Sequence, residues 1–307
     1  MILMYHRIAR PALDPWDLAV SPERFDEHLA ALKARRAVLP MSEFAELFEK
    51  GKLPRKAIGV TFDDGYVDNL LNAAPALERH AVTATLFLAT GGVGQGRPYW
   101  WDELAELILL RRGPLDLTLD LGGQPCRVTL PAAEGPPPAW RASDGPRTPR
   151  EHAFLDLWSR LRDLDLDARE RSMAELRLTA EAPSAPGDLP MKATEVRALA
   201  RSGAFEIGGH TINHPRLSEL DAEGQRVEIA EGKLACEALT GAPISGFAYP
   251  YGDFDARARE AVRGAGFRWA CTTRSGPVRR TDDIFALPRL AALDWPAETL
   301  KAALESV

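Results

Sequence analysis

Short apolar runs alternate with longer amphipathic segments along this chain. Runs of strand length and composition fall at residues 2–5, 58–62, 83–89, 205–208, 246–249, 267–272 and 287–291. Helix-like stretches separate most of them: Phe25, Leu29 and Leu32 recur at helical spacing within residues 22–35, and residues 67–80 and 255–266 behave alike. Such alternation predicts parallel strands joined by helical crossovers. Polar motifs follow several of the runs, and a (β/α) barrel gathers its chemistry at those strand ends. The expected fold is therefore α/β, a distorted TIM-like (β/α)7/8 barrel in preference to an open sheet.

The alternation fails between about residues 113 and 190. Leu117, Leu119 and Leu121, then Cys126, Val128 and Leu130, alternate around Gly122-Gly123 and read as a hairpin. A proline run, Pro136-Pro137-Pro138, follows. Beyond it come helix-like segments near 151–164 and 168–176, and a loop rich in Pro, Ala and Ser. We read a single barrel domain over 1–307 that carries this stretch as an insertion, a candidate lid or substrate wall.

With 45% hydrophobic residues among 307, the chain can build a sizeable core. Formal net charge is −6, with no Lys/Arg block to track a phosphate backbone, so nucleic acid is not an expected partner. Cys126, Cys236 and Cys271 are widely spaced and form no C-x-x-C pair, which suits reduced core thiols. No apolar stretch approaches the roughly 20 residues a membrane span needs. The N-terminus shows neither a basic n-region nor a cleavage site, so a cytoplasmic protein is expected.

The chemistry concentrates in two places. Thr61-Phe62-Asp63-Asp64-Gly65 sets two carboxylates side by side where an apolar run meets glycine, and His210-Thr211-Ile212-Asn213-His214 supplies two imidazoles four positions apart. One carboxylate and two histidines meet the needs of a divalent ion that activates water, leaving the second aspartate as a base. Each motif alone has a plainer reading: Asp-Asp-Gly also makes a turn, and His-x-x-x-His arises by chance. We place the two histidines on one face of a helical turn. His28 and His152 fall in polar helical stretches and His80 at a helix C-terminus. His6 instead follows an apolar run, at the strand end where site residues are expected.

These segments, together with Phe247-Ala248-Tyr249-Pro250-Tyr251-Gly252, resemble the first three motifs of the polysaccharide deacetylase family of carbohydrate esterases, in order and spacing. The resemblance spans most of the chain outside the insertion. It implies a distorted (β/α) barrel that removes acetyl groups from amino sugars with a zinc-type metal, in this case from a bacterial polysaccharide, oligosaccharide or precursor such as an exopolysaccharide. Carried over by position, Asp64, His210 and His214 would hold the metal, Asp63 would take a proton from the attacking water, and the backbone N–H of Tyr251 would hold the oxyanion. The donor types also accept cobalt, manganese or nickel.

The family draws the proton for its leaving amine from a Leu-x-His motif near the C-terminal end, yet no histidine follows His214. Met4-Tyr5-His6 resembles that motif moved to the front, as in the circularly permuted branch similar to poly-N-acetylglucosamine deacetylases, which makes His6 the general acid. The family's third motif begins with an arginine that orients the catalytic aspartate, but Ala248 stands there. The fourth brings an aspartate that pairs with it, absent from Trp269-Ala270-Cys271-Thr272-Thr273. Arg289 is a candidate replacement, or an ordinary structural arginine. Candidate sugar contacts are Pro250 and the aromatic run Tyr99, Trp100 and Trp101, for which core packing is the alternative.

Two other functions compete with N-deacetylation. The motifs define the attacking water and not the pocket, so the acyl group can be an O-acetyl ester or a formamide. Loss of the arginine–aspartate pair also admits an inactive, metal-binding glycan-assembly protein. A serine esterase is the less credible reading because no Gly-x-Ser-x-Gly occurs.

Overall fold

The computed structural model describes residues 1–35, 37–133, 139–179 and 189–305. The Pro136-Pro137-Pro138 run and residues 180–188, most of the Pro/Ala/Ser-rich loop, lie outside the described residues. Two compact units emerge: Met1–Arg10, Leu18–Gln95 and Pro190–Val307 form the first, and Pro11–Asp17 with Gly96–Leu189 the second.

The first unit is built on parallel strands in the order Trp269–Cys271, Gly246–Ala248, Phe205–Gly209, Ala84–Leu88, Ala57–Asp64, Ile2–Tyr5 and Leu290–Ala291. The chain entering the last strand closes the ring. Leu287 N–H donates to Ala270 and Thr272 N–H to Leu287, both at 2.9 Å, while Leu290 and Ala291 pair with Leu3 and Met4. Both ends of the sheet thus meet through residues 284–291, which gives the distorted (β/α) barrel that the alternation predicts. The strands Ile2–Tyr5, Ala57–Asp64 and Ala84–Leu88 are buried at every position, as parallel strands under helices must be, and this is why residues 58–62 read as an unbroken apolar run.

The helices Pro22–Arg35 and Ala256–Gly264 coincide with the periodic segments. Residues 67–80 split into a π-turn, Asn69–Ala73, and the helix Ala74–Arg79. The longest helix, Ala222–Thr240, starts at Asp221, whose carboxylate accepts from Gly224 N–H, and stops at Gly241 in the left-handed region. Its buried positions are Gln225, Ile229, Gly232 and Cys236, a face of small and polar residues that hydrophobic periodicity does not reveal.

His28 departs from the expected polar helical setting. It is fully buried, its Nε2 donating to the Trp295 carbonyl at 2.8 Å and its Nδ1 accepting from Tyr5 Oη at 3.1 Å. Burial lowers its pKa, so it is a neutral link between the first strand and the C-terminal segment. His80 caps a helix as expected and bonds Asp26.

The second unit takes in residues 96–112 as well as the segment from 113 onward. Strands Leu115–Asp120 and Pro125–Leu130 pair antiparallel, with Leu119 opposite Cys126, as the alternation predicts. Helices Pro149–Arg162 and Leu166–Leu178 follow, capped by Thr148 and Asp165. Their apolar faces share a cluster of their own around Leu119, Val128, Phe154, Leu161 and Met173. Tyr99 and Trp101 stack with centroids 4.6 Å apart, and Trp100 packs on Trp158, as the packing alternative for this aromatic run has it. All three cysteines are buried thiols, and among the described residues no helix is long and apolar enough to cross a membrane.

Candidate active site

Parallel strands share a direction, so their C-terminal ends form one rim. Asp63 and Asp64 end the strand Ala57–Asp64, His6 follows Ile2–Tyr5, and His210 follows Phe205–Gly209. Tyr251 lies in the turn after Gly246–Ala248, and Arg289 immediately precedes Leu290–Ala291. Pro250 is buried at the start of that turn.

Both aspartates lie in the strand itself. Neighbouring strand residues face opposite ways, but Asp64 has φ +74° and Gly65 φ +102°, so the backbone turns at the second carboxylate. Gly65 is required here by its conformation, and an added Cβ would also displace Leu88 Cδ1, 2.4 Å away. Further left-handed residues, Thr211, His214 and Tyr251, cluster on the same rim. Strain of this kind persists where surrounding structure enforces it.

Asp64, His210 and His214 come together. Their ligand atoms all lie within 4.8 Å of one another and all three residues are buried. His210 Nε2 is 3.5 Å and His214 Nε2 3.4 Å from Asp64 Oδ1. His210 Nδ1 donates to the Ala248 carbonyl at 2.7 Å, which orients the ring with Nε2 toward Asp64; burial opposes a charge on this ring, but the bond to the Asp64 carboxylate outweighs it and raises the His210 pKa. Burial, with the nearby charge of His210, drives His214 down to about 3, so its ring is neutral and able to ligate. One carboxylate oxygen and two imidazole nitrogens, compact and shielded from water, fit a divalent ion of the zinc class.

The histidine loop is not the helical turn expected from the spacing. Thr211 at φ +65° and His214 at φ +54° break any helix, and the rings meet because the backbone folds back on itself, with His214 N–H donating to Thr211 Oγ1 at 3.0 Å.

Asp63 is held separately. Arg289 donates from Nη1 to Asp63 Oδ1 at 2.6 Å and from Nη2 to Oδ2 at 2.7 Å, and its Nε donates to the Thr272 carbonyl at 2.9 Å. Its Nη1 also reaches Thr61 Oγ1, which in turn donates to the Leu3 carbonyl. The arginine is wholly buried, with its guanidinium over the Phe87 ring. Burial alone would raise the Asp63 pKa; the Arg289 charge, assisted by His210, reverses this and holds the carboxyl well below the usual carboxylate range. His6 Nε2 lies 3.9 Å from Asp63 Oδ2 and the His6 side chain retains 20% exposure, so it faces both the aspartate and the outside. Tyr251 packs its ring against His214, centroids 4.6 Å apart.

The pairing that the sequence offered only as one option for Arg289 is thus present as a two-pronged ion pair. Thr61 was not anticipated in this role, although it opens the Asp-Asp-Gly motif; nor was Gly91, whose N–H donates to the Ile212 carbonyl at 2.8 Å. Gly91 belongs to a glycine-rich loop, residues 91–96, that follows the strand Ala84–Leu88.

Comparisons with known proteins bear on the family and the fold. The profile of the family described as polysaccharide deacetylase matches residues 50–109 and 179–270. The Bacillus subtilis protein YxkH, named as a polysaccharide deacetylase, is 29% identical over 108 residues, 34% of this chain and 37% of its own. The poly-β-1,6-N-acetyl-D-glucosamine N-deacetylase of Staphylococcus aureus is 35% identical over 78 residues, 25% of this chain and 27% of its own. These matches therefore span about a third of the curated relatives' lengths. The Streptococcus pyogenes deacetylase PplD, solved with acetate, superposes with a TM-score of 0.64 at 17% identity, covering 99% of this chain and 96% of its own, and so shares the fold.

Proposed function

The chain belongs to the polysaccharide deacetylase family, and on that footing we propose that it is a metal-dependent hydrolase that removes N-acetyl groups from amino sugars of a bacterial glycan, giving acetate and a free amine. The observation that carries this reading is the juxtaposition of an ionised Asp63, locked by Arg289, with the Asp64–His210–His214 cluster. A divalent ion, zinc by donor preference with cobalt, manganese or nickel as alternatives, would be held by that cluster, where it would supply Lewis acidity and lower the pKa of water so that it is readily deprotonated near neutral pH.

The chain's own groups do the rest. Asp63, kept ionised by Arg289, takes the proton from the attacking water. The backbone N–H of Tyr251 donates to the acyl oxygen as negative charge develops there. His6 gives its proton to the departing nitrogen, and the C–N bond breaks. Arg289 stands in for the arginine missing at Ala248, and this supports an active enzyme over an inactive assembly subunit.

The S. aureus relative points to a β-1,6-linked N-acetylglucosamine polymer as the first substrate to try. Zinc-loaded protein is expected to release acetate from such an oligomer faster than from O-acetylated or N-formylated counterparts. Turnover confined to the ester or formyl substrate rules out N-deacetylation.

His6 has a distinctive signature. An amide needs its leaving nitrogen protonated, whereas a nitrophenyl ester does not. His6→Ala is expected to slow amide hydrolysis by about 10²-fold or more and leave nitrophenyl acetate hydrolysis within a few-fold. Equal losses on both substrates would remove His6 as the acid.

A further inference from the structure

The loop carrying His210 and His214 has a strained course, with Thr211 and His214 in the left-handed region, and something must hold it there. The helix Ala222–Thr240 does so at one spot. Glu228 Oε2 accepts the backbone N–H groups of both Ile212 and Asn213 at 2.9 Å, and its Oε1 accepts from Asn213 Nδ2 at 2.7 Å. Three donors of one short loop converge on a single half-buried carboxylate. Successive N–H groups aimed at one anion make a nest, and the carboxylate's negative charge strengthens each bond.

One turn further along the same helix, Gly232 lies flat against the loop. A Cβ there would come 2.9 Å from the Thr211 carbonyl carbon, so only glycine lets the helix approach closely enough for Glu228 to reach. On the opposite side, Gly91 N–H donates to the Ile212 carbonyl at 2.8 Å, and a Cβ on Gly91 would come 2.8 Å from that same oxygen. The loop is gripped between a carboxylate and a glycine turn through its backbone and Asn213.

We propose that Glu228 is a positioning residue: its carboxylate clamps the Thr211–His214 backbone in the one conformation that brings His214 Nε2 to Asp64 beside His210. Released from the clamp, the loop relaxes toward ordinary backbone angles and His214 leaves the cluster, while Asp64 and His210, fixed by strand ends, stay. The consequence is weaker metal binding from a residue that contacts no ligand atom. The inference rests on the metal-site reading above.

The test is the zinc Kd of the full chain, measured by competition with a chromophoric chelator, beside thermal unfolding of the metal-stripped protein. Glu228→Ala is expected to weaken zinc binding about tenfold or more. Glu228→Gln, whose carbonyl oxygen still accepts from Ile212 and Asn213, is expected to fall between it and the wild type. A residue that merely supports the fold would lower Tm without ordering the Kd values this way. An unchanged Kd in Glu228→Ala overturns the inference alone, whereas failure of the wild-type protein to bind zinc overturns the metal-site reading and this inference with it. Should Glu228→Ala not fold, Gly232→Ala decides in its place: its Cβ pushes the loop from the clamped side, a tenfold weaker Kd supports the clamp, and an unchanged Kd overturns it.

Discussion

Asp63→Asn is expected to lower acetate release by about a thousandfold, within the 10²- to 10⁴-fold range for loss of a general base, while zinc remains bound at wild-type stoichiometry. The amide is close in shape to the carboxylate but cannot accept the water's proton at neutral pH. It also leaves the cluster of Asp64, His210 and His214 intact, because no ligand atom of that cluster belongs to Asp63. Steady-state kinetics paired with metal analysis check this. Wild-type turnover in the variant removes Asp63 as the base; lost turnover together with lost zinc places Asp63 among the ligands instead.

Arg289→Met should cost more in stability than any other change at the site. The arginine is fully buried and meets Asp63 through two short hydrogen bonds, so its removal strands a carboxylate in the barrel interior. Breaking a buried pair from one side costs about 3–5 kcal/mol. The pH dependence follows from the direction of the Asp63 shift. In the wild type the folded pKa is depressed, so the pair's contribution is present above the unfolded carboxyl value of about 4 and is lost as the pH falls below it. In the variant, burial acts on Asp63 without the guanidinium and its pKa moves up. The stability deficit is then largest near neutral pH and shrinks under acid, and the acidic limb of the kcat profile shifts to higher pH. Denaturant unfolding of the metal-stripped proteins between pH 4 and 8 measures the first effect; a deficit independent of pH contradicts the pairing.

The strands and the residues of the candidate metal cluster were legible because their signals are local. A parallel strand buried on both faces is an unbroken apolar run, and Asp64 and His210 adjoin such runs. What the sequence hid depends on contacts between distant segments. The four-residue spacing of His210 and His214 suggested a helical turn, yet left-handed angles at Thr211 and His214 bring the rings together instead. The helix Ala222–Thr240 buries glycine, glutamine and cysteine, so its core face carried no hydrophobic period. Glu228 was one acid among many on a helix surface until the loop above it was in place. His28 falls in a polar helical stretch, and sequence did not show that its ring is fully buried, bonded to Tyr5 and the Trp295 carbonyl. Arg289 was the instructive middle case: the absence of arginine at position 248 raised the need for a replacement, and only the ring closure through residues 284–291 brings one to Asp63.

Ala248 and Arg289 serve the two halves of the site from different segments. The carbonyl of Ala248 orients His210, and the guanidinium on Asp63 comes from the chain entering the final strand.

Titrating chelator-stripped protein with zinc while recording acetate released from a β-1,6-linked N-acetylglucosamine oligomer tests the central claim most directly. A single ion held by Asp64, His210 and His214 predicts no turnover in the stripped protein and a rise to a plateau at one equivalent of zinc per chain. Undiminished acetate release by the stripped protein contradicts it.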